Sequence, residues 1–221
     1  MKRSKIIIDL IKNEIDISQA LEILSLLLED IKDKKIKNWV NKEINGYDSK
    51  DELPPYRIVN ASLTGTLKSY TQVISHVNIP IDPNEEKILS KHKVLCGINE
   101  LLQMSEAEKE NDQHSLYIPV NIAYINTVAL IDDSFEITHA SLHLSLYAYT
   151  NIIGKLKSKI LSILKELEKN YGNLDEYYID FSSSKKENIV SQKIINIIYK
   201  PVSIGDDNKI DKSIIGDDNN D

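Results

Sequence analysis

The chain has 221 residues, 41% hydrophobic and 28% charged, with 27 basic against 34 acidic side chains, a formal net charge of −7 and a sequence pI of about 5.3. That composition suits a globular chain with a sizeable core and excludes global disorder. The acidic balance makes the chain a poor general ligand for phosphate backbones, whose affinity rests on a basic surface, and the single cysteine, Cys96, excludes an intramolecular disulfide and gives no support to an oxidising compartment.

Residues 4 to 14 place Ile7, Ile8, Leu10, Ile11 and Ile15 at helical spacing, which predicts a short amphipathic helix. Only Ile6, Ile7 and Ile8 precede Asp9, too short a run for a signal peptide. No run approaches the roughly 20 apolar residues of a membrane span, so the expectation is a cytoplasmic protein. Ser18 is the expected N-cap of a second helix, with Glu22 beyond it and a stripe of Leu21, Leu24, Leu27, Leu28 and Ile31. Asp33 caps a third helix bearing Ile36, Trp39, Val40 and Ile44, and Gly46 follows at the position where a left-handed C-terminal residue is expected.

From Tyr56 the period changes to two. Val59, Ala61, Leu63 and Leu67 alternate with polar positions, and Val73, Val77, Ile79 and Ile81 do so again, which predicts a hairpin ended by Pro80 and Pro83. Residues 84 to 104 return to helical spacing, with Ile88, Leu95, Ile98, Leu101 and Leu102 as the stripe, and the polar run Ser105 to Gln113 reads as a loop. A further alternation from Ile118 to Leu130 predicts a strand, Asp132-Asp133 a turn, and Leu142, Leu144, Leu146 and Ala148 another strand. Thr150 caps a long helix over about 151–170, with Gly172 beyond its end. Tyr177 to Phe181 is a short candidate strand, and Ile194 to Tyr199 is apolar and β-prone. The fold class is α+β: short N-terminal helices, a mainly antiparallel sheet in the middle, and a long helix near residues 151–170. Residues 1–200 are expected to form one domain, with 1–46 as its helical lead-in. Residues 201–221 form an acidic tail in which Ile204-Gly-Asp-Asp-Asn208 recurs as Ile215-Gly-Asp-Asp-Asn219. Such oxygen-rich repeats suit a hard cation, a flexible tail, or a rung that stacks in an oligomer. Of these, the flexible tail is favoured, because neither copy has the spacing of a known calcium loop.

Candidate chemistry is sparse. His139 and His143 in HASLH lie on one face of either a helix or a strand, and Asp132, Asp133 and His114 are near enough in sequence to complete a metal site. The competing reading is a polar sheet face shared with Ser141, Ser145 and Tyr147. Cys96 with His92 is a conceivable dyad, set against a small buried side chain. Lys32, Lys34, Lys35 and Lys37, and Lys155, Lys157 and Lys159, are basic runs of the kind that solvated helix faces carry. The P-loop, the dinucleotide-binding glycine motif, the GxSxG elbow and paired CxxC motifs are all absent.

The segment Trp39-Val-Asn-Lys-Glu43-Ile-Asn45-Gly46-Tyr47, followed by Leu53-Pro54-Pro55-Tyr56-Arg57, is physically coherent. Trp39 and Glu43 share a helix face, Gly46 ends the helix, the prolines stiffen the approach to the sheet, and Arg57 is placed to pair with Glu43. This pattern, W-x-x-x-E-(L/I)-N-G-Y, an acidic spacer and P-x-Y-R, resembles the AbiTii family of bacterial abortive-infection proteins. The lead-in helices over Lys5–Ile31 are similar too, and the resemblance is specific over residues 1–60. It implies defence against bacteriophage, with a protein partner from the same defence system or from the phage, and brings no catalytic residue. The expectation is therefore a sensor, adaptor or toxin-like effector that works by protein binding, capable of homo-oligomerising, without cofactor or membrane contact. The alternatives are a metal-dependent hydrolase or nuclease using His139, His143 and Asp132, and a nucleic-acid binder using Lys32–Lys37.

Overall fold

In the computed structural model, which describes residues 3–110, 115–145 and 147–200, the chain is an α+β fold of helices around an antiparallel sheet. The repetitive tail, His114 and Leu146 lie outside the described residues. Three short helices come first: α1 (Lys5–Lys12), α2 (Ile17–Leu27) and α3 (Lys34–Asn45). The N-cap of α2 is Asp16, not Ser18. Its carboxylate accepts from Gln19 N while the Gln19 side chain accepts from Asp16 N, a reciprocal capping box that Ser18 has no partner to form. Asp33 caps α3 as expected, accepting from Lys35 N and Ile36 N.

Arg57 does not begin the first strand. Pro55–Arg57 form a single 3-10 turn, and β1 (Ile58–Lys68) starts one residue later. β2 (Val73–Asn78) completes the expected hairpin. The predicted helix over 84–104 is two helices, α4 (Pro83–Leu89) and α5 (Ile98–Glu110), split by β3 (Lys91–Lys93). Three residues without an apolar pattern become a strand because β1 offers Ile58–Asn60 as an antiparallel partner. Cys96 accordingly sits in the loop between β3 and α5 rather than in a helix. The polar run from Ser105 to Glu110 continues α5 instead of looping, and Ser105 ties it to Thr150 through a 2.8 Å hydroxyl contact.

The stretch from Ile118 to Leu130 is likewise not one strand. β4 (Ser115–Pro119) stops at a proline, and Asn121 caps α6 (Ile122–Val128), which buries Ile125 completely. β5 (Glu136–Ser145) begins earlier than predicted, and Ala148 belongs to the next helix. That helix, α7 (Ala148–Tyr171), places Thr150 inside its first turn, so Thr150 is no cap, and ends at Gly172 as expected. Tyr177–Phe181 is not a strand: Ile179 and Phe181 enter the core from irregular backbone. Ile194–Tyr199 is helical, the end of α8 (Ser184–Tyr199), because Val190, Ile194 and Ile198 recur every four residues and are wholly buried.

Two cores result. In the larger, α7 contributes Leu156, Ile160, Ile163, Leu164 and Leu167 and packs against α8, α2, α5 and α1. Each such fully buried side chain contributes about 1.5–3 kcal/mol. The smaller core lies on the apolar face of the sheet, where Leu63, Ala140, Leu142 and Ile137 meet Ile125, Ile79 and Ile81. Strand order is β2-β1-β5-β4, with β3 on β1. Among the described residues no helix is long and apolar enough to cross a membrane.

Candidate functional site

The C-terminal turn of α3 and the turn before β1 bring the Trp39–Arg57 motif into one buried network. The Glu43 and Arg57 side chains are both fully buried and pair through Arg57 Nη2 and Glu43 Oε2 at 2.5 Å. Glu43 Oε1 accepts from the Tyr47 hydroxyl at 2.5 Å, the Tyr56 hydroxyl at 2.8 Å and Arg57 Nε at 3.4 Å. The Trp39 indole donates to the Tyr56 oxygen at 2.8 Å. A fourth element enters through main chain only: Arg57 Nη1 donates to Cys96 O at 2.8 Å, Tyr47 N donates to Leu95 O at 2.7 Å, and Val94 N donates to Arg57 O at 2.9 Å. Pro54 is buried at the start of the turn, whereas Asn45 points outward and its amide returns to Asn41 O at 3.0 Å.

Electrostatics inside this network favour fixed protonation. Burial, then the neighbouring Glu43 carboxylate, push the Tyr47 and Tyr56 phenols far above their usual range. Burial alone would lower Arg57, but the charge and hydrogen bonds of Glu43 outweigh it and hold the guanidinium more firmly protonated. With Glu43 and Arg57 wholly buried and paired, the arrangement joins helices to sheet. The consequence for pH is directional. A phenol whose folded pKa is raised contributes full stability below its unfolded value near 10 and loses that contribution as pH rises beyond it, by up to about 1.4 kcal/mol per pH unit. Tyr47→Phe is therefore expected to flatten the alkaline decline of a urea-unfolding midpoint; an unchanged slope would contradict the geometry.

Two members of this neighbourhood were not predicted. Gly97 packs its backbone against the end of α3. Lys159, expected on a solvated basic face, is buried: its Nζ donates to Ile197 O at 2.5 Å and to Lys200 O at 3.0 Å, closing the end of α8, and lies 5.3 Å from the Tyr56 ring centroid. Burial, with Lys155 nearby, lowers its pKa. Its position, three residues after Leu156 and four before Ile163, is the signal that sets it on the apolar stripe. Cys96 is half-buried, and burial raises its thiol pKa. His92 lies on β3, not on a shared helix with it.

The polar face of the sheet carries the remaining candidates. Register aligns Ser62 with His143 and Tyr117, Thr64 with Ser141 and Pro119, and Thr66 with His139. His139 is exposed, and Asp132 accepts from Ser134 N at 2.8 Å in the turn before β5. Among the described residues no group of three or more His, Cys, Asp or Glu side chains is placed to hold a metal ion. His143 instead stacks on Tyr117 at 5.2 Å between ring centroids, and Tyr117 also meets His76 of β2 at 5.8 Å. Tyr117 and His76 went unpredicted. Tyr117 carries an alternation signal between Leu116 and Ile118, whereas His76 carries none, because a bulge between β1 and β2 directs it.

A family model described as AbiTii matches residues 4–194 of the chain. Comparison with curated proteins and with solved structures gives no match.

Proposed function

This chain belongs to the AbiTii family, and from that premise we propose that it serves abortive-infection defence against bacteriophage by binding another protein, as a sensor, adaptor or toxin-like effector. Family membership supports the defence role. The buried state of the family motif supports a structural use of those residues and turns attention to exposed side chains for recognition. The observation that carries the binding mode is the tip of the β1–β2 hairpin. Tyr70 there is fully exposed and Val73 is 62% exposed, on a turn closed by Ser69 N donating to Gln72 O at 2.8 Å. The tip borders Phe135 and the turn before β5. A large aromatic side chain held on a short, hydrogen-bonded turn is the kind of anchor that dominates protein interfaces. The partner is a protein of the same defence system or a phage protein.

The test is phage plating on cells that express the chain, with co-purification from infected and uninfected cells. Tyr70→Ala with Val73→Ser is expected to lower both protection and partner capture while leaving the fold intact. His139→Ala and Asp132→Ala are expected to keep protection. Full protection and full capture by the hairpin variant would remove the binding surface from consideration. Loss of protection in a folded His139→Ala or Asp132→Ala variant would favour the hydrolase alternative.

A further inference from the structure

Helices α2 and α3 leave a groove that neither the buried motif nor the hairpin tip uses. Its volume is about 470 Å³. Val40 lines it and is buried, whereas Leu26 on the α2 wall is 50% exposed. Glu22 and Glu29 lie on the α2 side, and Lys37 and Asn41 on the α3 side; all four are exposed. Among the described residues, Glu22, Glu29 and Lys37 form no ion pair, although they share one groove. Only residues 28–33 separate the two helices, and so short a connection makes them antiparallel neighbours. Glu29 and Lys37 therefore sit at the connection end of the groove, and Glu22 and Asn41 at its far end.

Such a surface is complementary to itself in one orientation. In a twofold dimer the same patch serves both copies, so the axis lies in the interface. With the axis along the groove, the α2 wall of one copy meets the α3 wall of the other at the same level. Glu29 then faces Lys37 of the second copy, Glu22 faces its Asn41, and Leu26 enters its groove over Val40. With the axis across the groove, α2 meets α2 and Glu22 faces Glu29, which like-charge repulsion opposes. The placement of charge thus selects a second copy of this chain and one way of docking it. A half-exposed leucine rimmed by polar groups also has the centre-and-rim character of protein interfaces.

We propose that α2 and α3 form the contact surface of a symmetric homodimer, with its twofold axis along the groove and a Glu29–Lys37 pair on either side. The inference does not depend on the hairpin tip or on the defence role. Sedimentation equilibrium of the full chain over a concentration series tests it, and a monomer–dimer equilibrium is expected. Glu29→Lys and Lys37→Glu each set like charges against one another at both symmetric contacts, and each is expected to weaken the dimer about tenfold or more. Glu29→Lys does so while bringing the net charge of −7 closer to zero, so general repulsion between copies cannot explain its effect. The double variant, and an equimolar mixture of the two single variants, are both expected to recover association. Leu26→Ser is expected to weaken it with little change in the urea midpoint, because half of that side chain is already in solvent. Tyr70→Ala with Val73→Ser is expected to leave it unchanged. A chain monomeric at every concentration, a dimer indifferent to both single reversals, no recovery in the mixture, or a dimer lost only in the hairpin variant would each overturn the proposal.

Discussion

Glu43→Ala is expected to cost about 3–5 kcal/mol of folding stability, the range for breaking a buried ion pair from one side. The substitution removes the acceptor of two phenols and leaves the wholly buried Arg57 guanidinium with a single hydrogen-bond acceptor, Cys96 O. The cost comes from the stranded guanidinium more than from lost attraction. Replacing both partners with apolar residues, Glu43→Leu with Arg57→Met, is therefore expected to recover part of the loss, and the double-mutant cycle isolates the coupling. Trp39 is the only tryptophan in the chain and donates to Tyr56, so its fluorescence reports on this network. A shift in the urea midpoint equivalent to less than about 1 kcal/mol would be inconsistent with a charge pair this buried. In cells, a loss of this size lowers abundance, so reduced phage protection by Glu43→Ala must be normalised to the amount of folded protein.

The Glu43–Arg57 pair was legible because its parts are side chains at readable positions: one turn beyond Trp39 on a helix, and just past two prolines. Its other half was not. Cys96 O, Leu95 O and Val94 N are main-chain groups, and every residue has those, so no pattern announces that this loop crosses the end of α3. The same division runs through the fold. The stripes of α2, α3 and α7 and the alternation of β1 are periodic and were legible, whereas the alternation expected from Val73 to Ile81 breaks at the bulge in β2, which leaves Val73 exposed and ends the strand at Asn78. β3 has no pattern of its own and exists through its pairing with β1. Ile194–Tyr199 is rich in isoleucine, whose branched side chain favours strands. Packing of Val190, Ile194 and Ile198 into the core around α7 overrides that preference. The meeting of His76, Tyr117 and His143 depends on strand order and a bulge, which several strands set together.

The crossing of α3 and the loop before α5 leads to the second large effect. A Cβ on Gly97 would lie 2.4 Å from Ile44 O and 3.1 Å from both Asn45 C and Gly46 N, all backbone atoms. Side-chain rearrangement cannot relieve such contacts, so the loop and the helix end must separate. Gly46, at φ 101° and ψ 168°, occupies backbone space that other residues rarely enter, and its own Cβ would be 3.1 Å from Leu95 O. Gly97→Ala is therefore expected to destabilise at the upper end of the ~1–3 kcal/mol typical of overpacking, and Gly46→Ala by about 1–3 kcal/mol through strain. Because both act on one crossing, the double variant is expected to lose less than the sum. Gly154 is the control: it sits in α7 with nothing within 4 Å of an added Cβ, and its change to alanine is expected to stabilise by about 0.5–1 kcal/mol through helix propensity. Urea midpoints order the three variants, and native-state Trp39 fluorescence separates them by mechanism. Moving the loop draws Cys96 O away from Arg57 and loosens the network around Trp39, so Gly97→Ala is expected to change the native spectrum while Gly154→Ala leaves it unaltered. If Gly97→Ala is as stable as the parent, the two backbones are not in contact, and Arg57 must find its last hydrogen bond elsewhere.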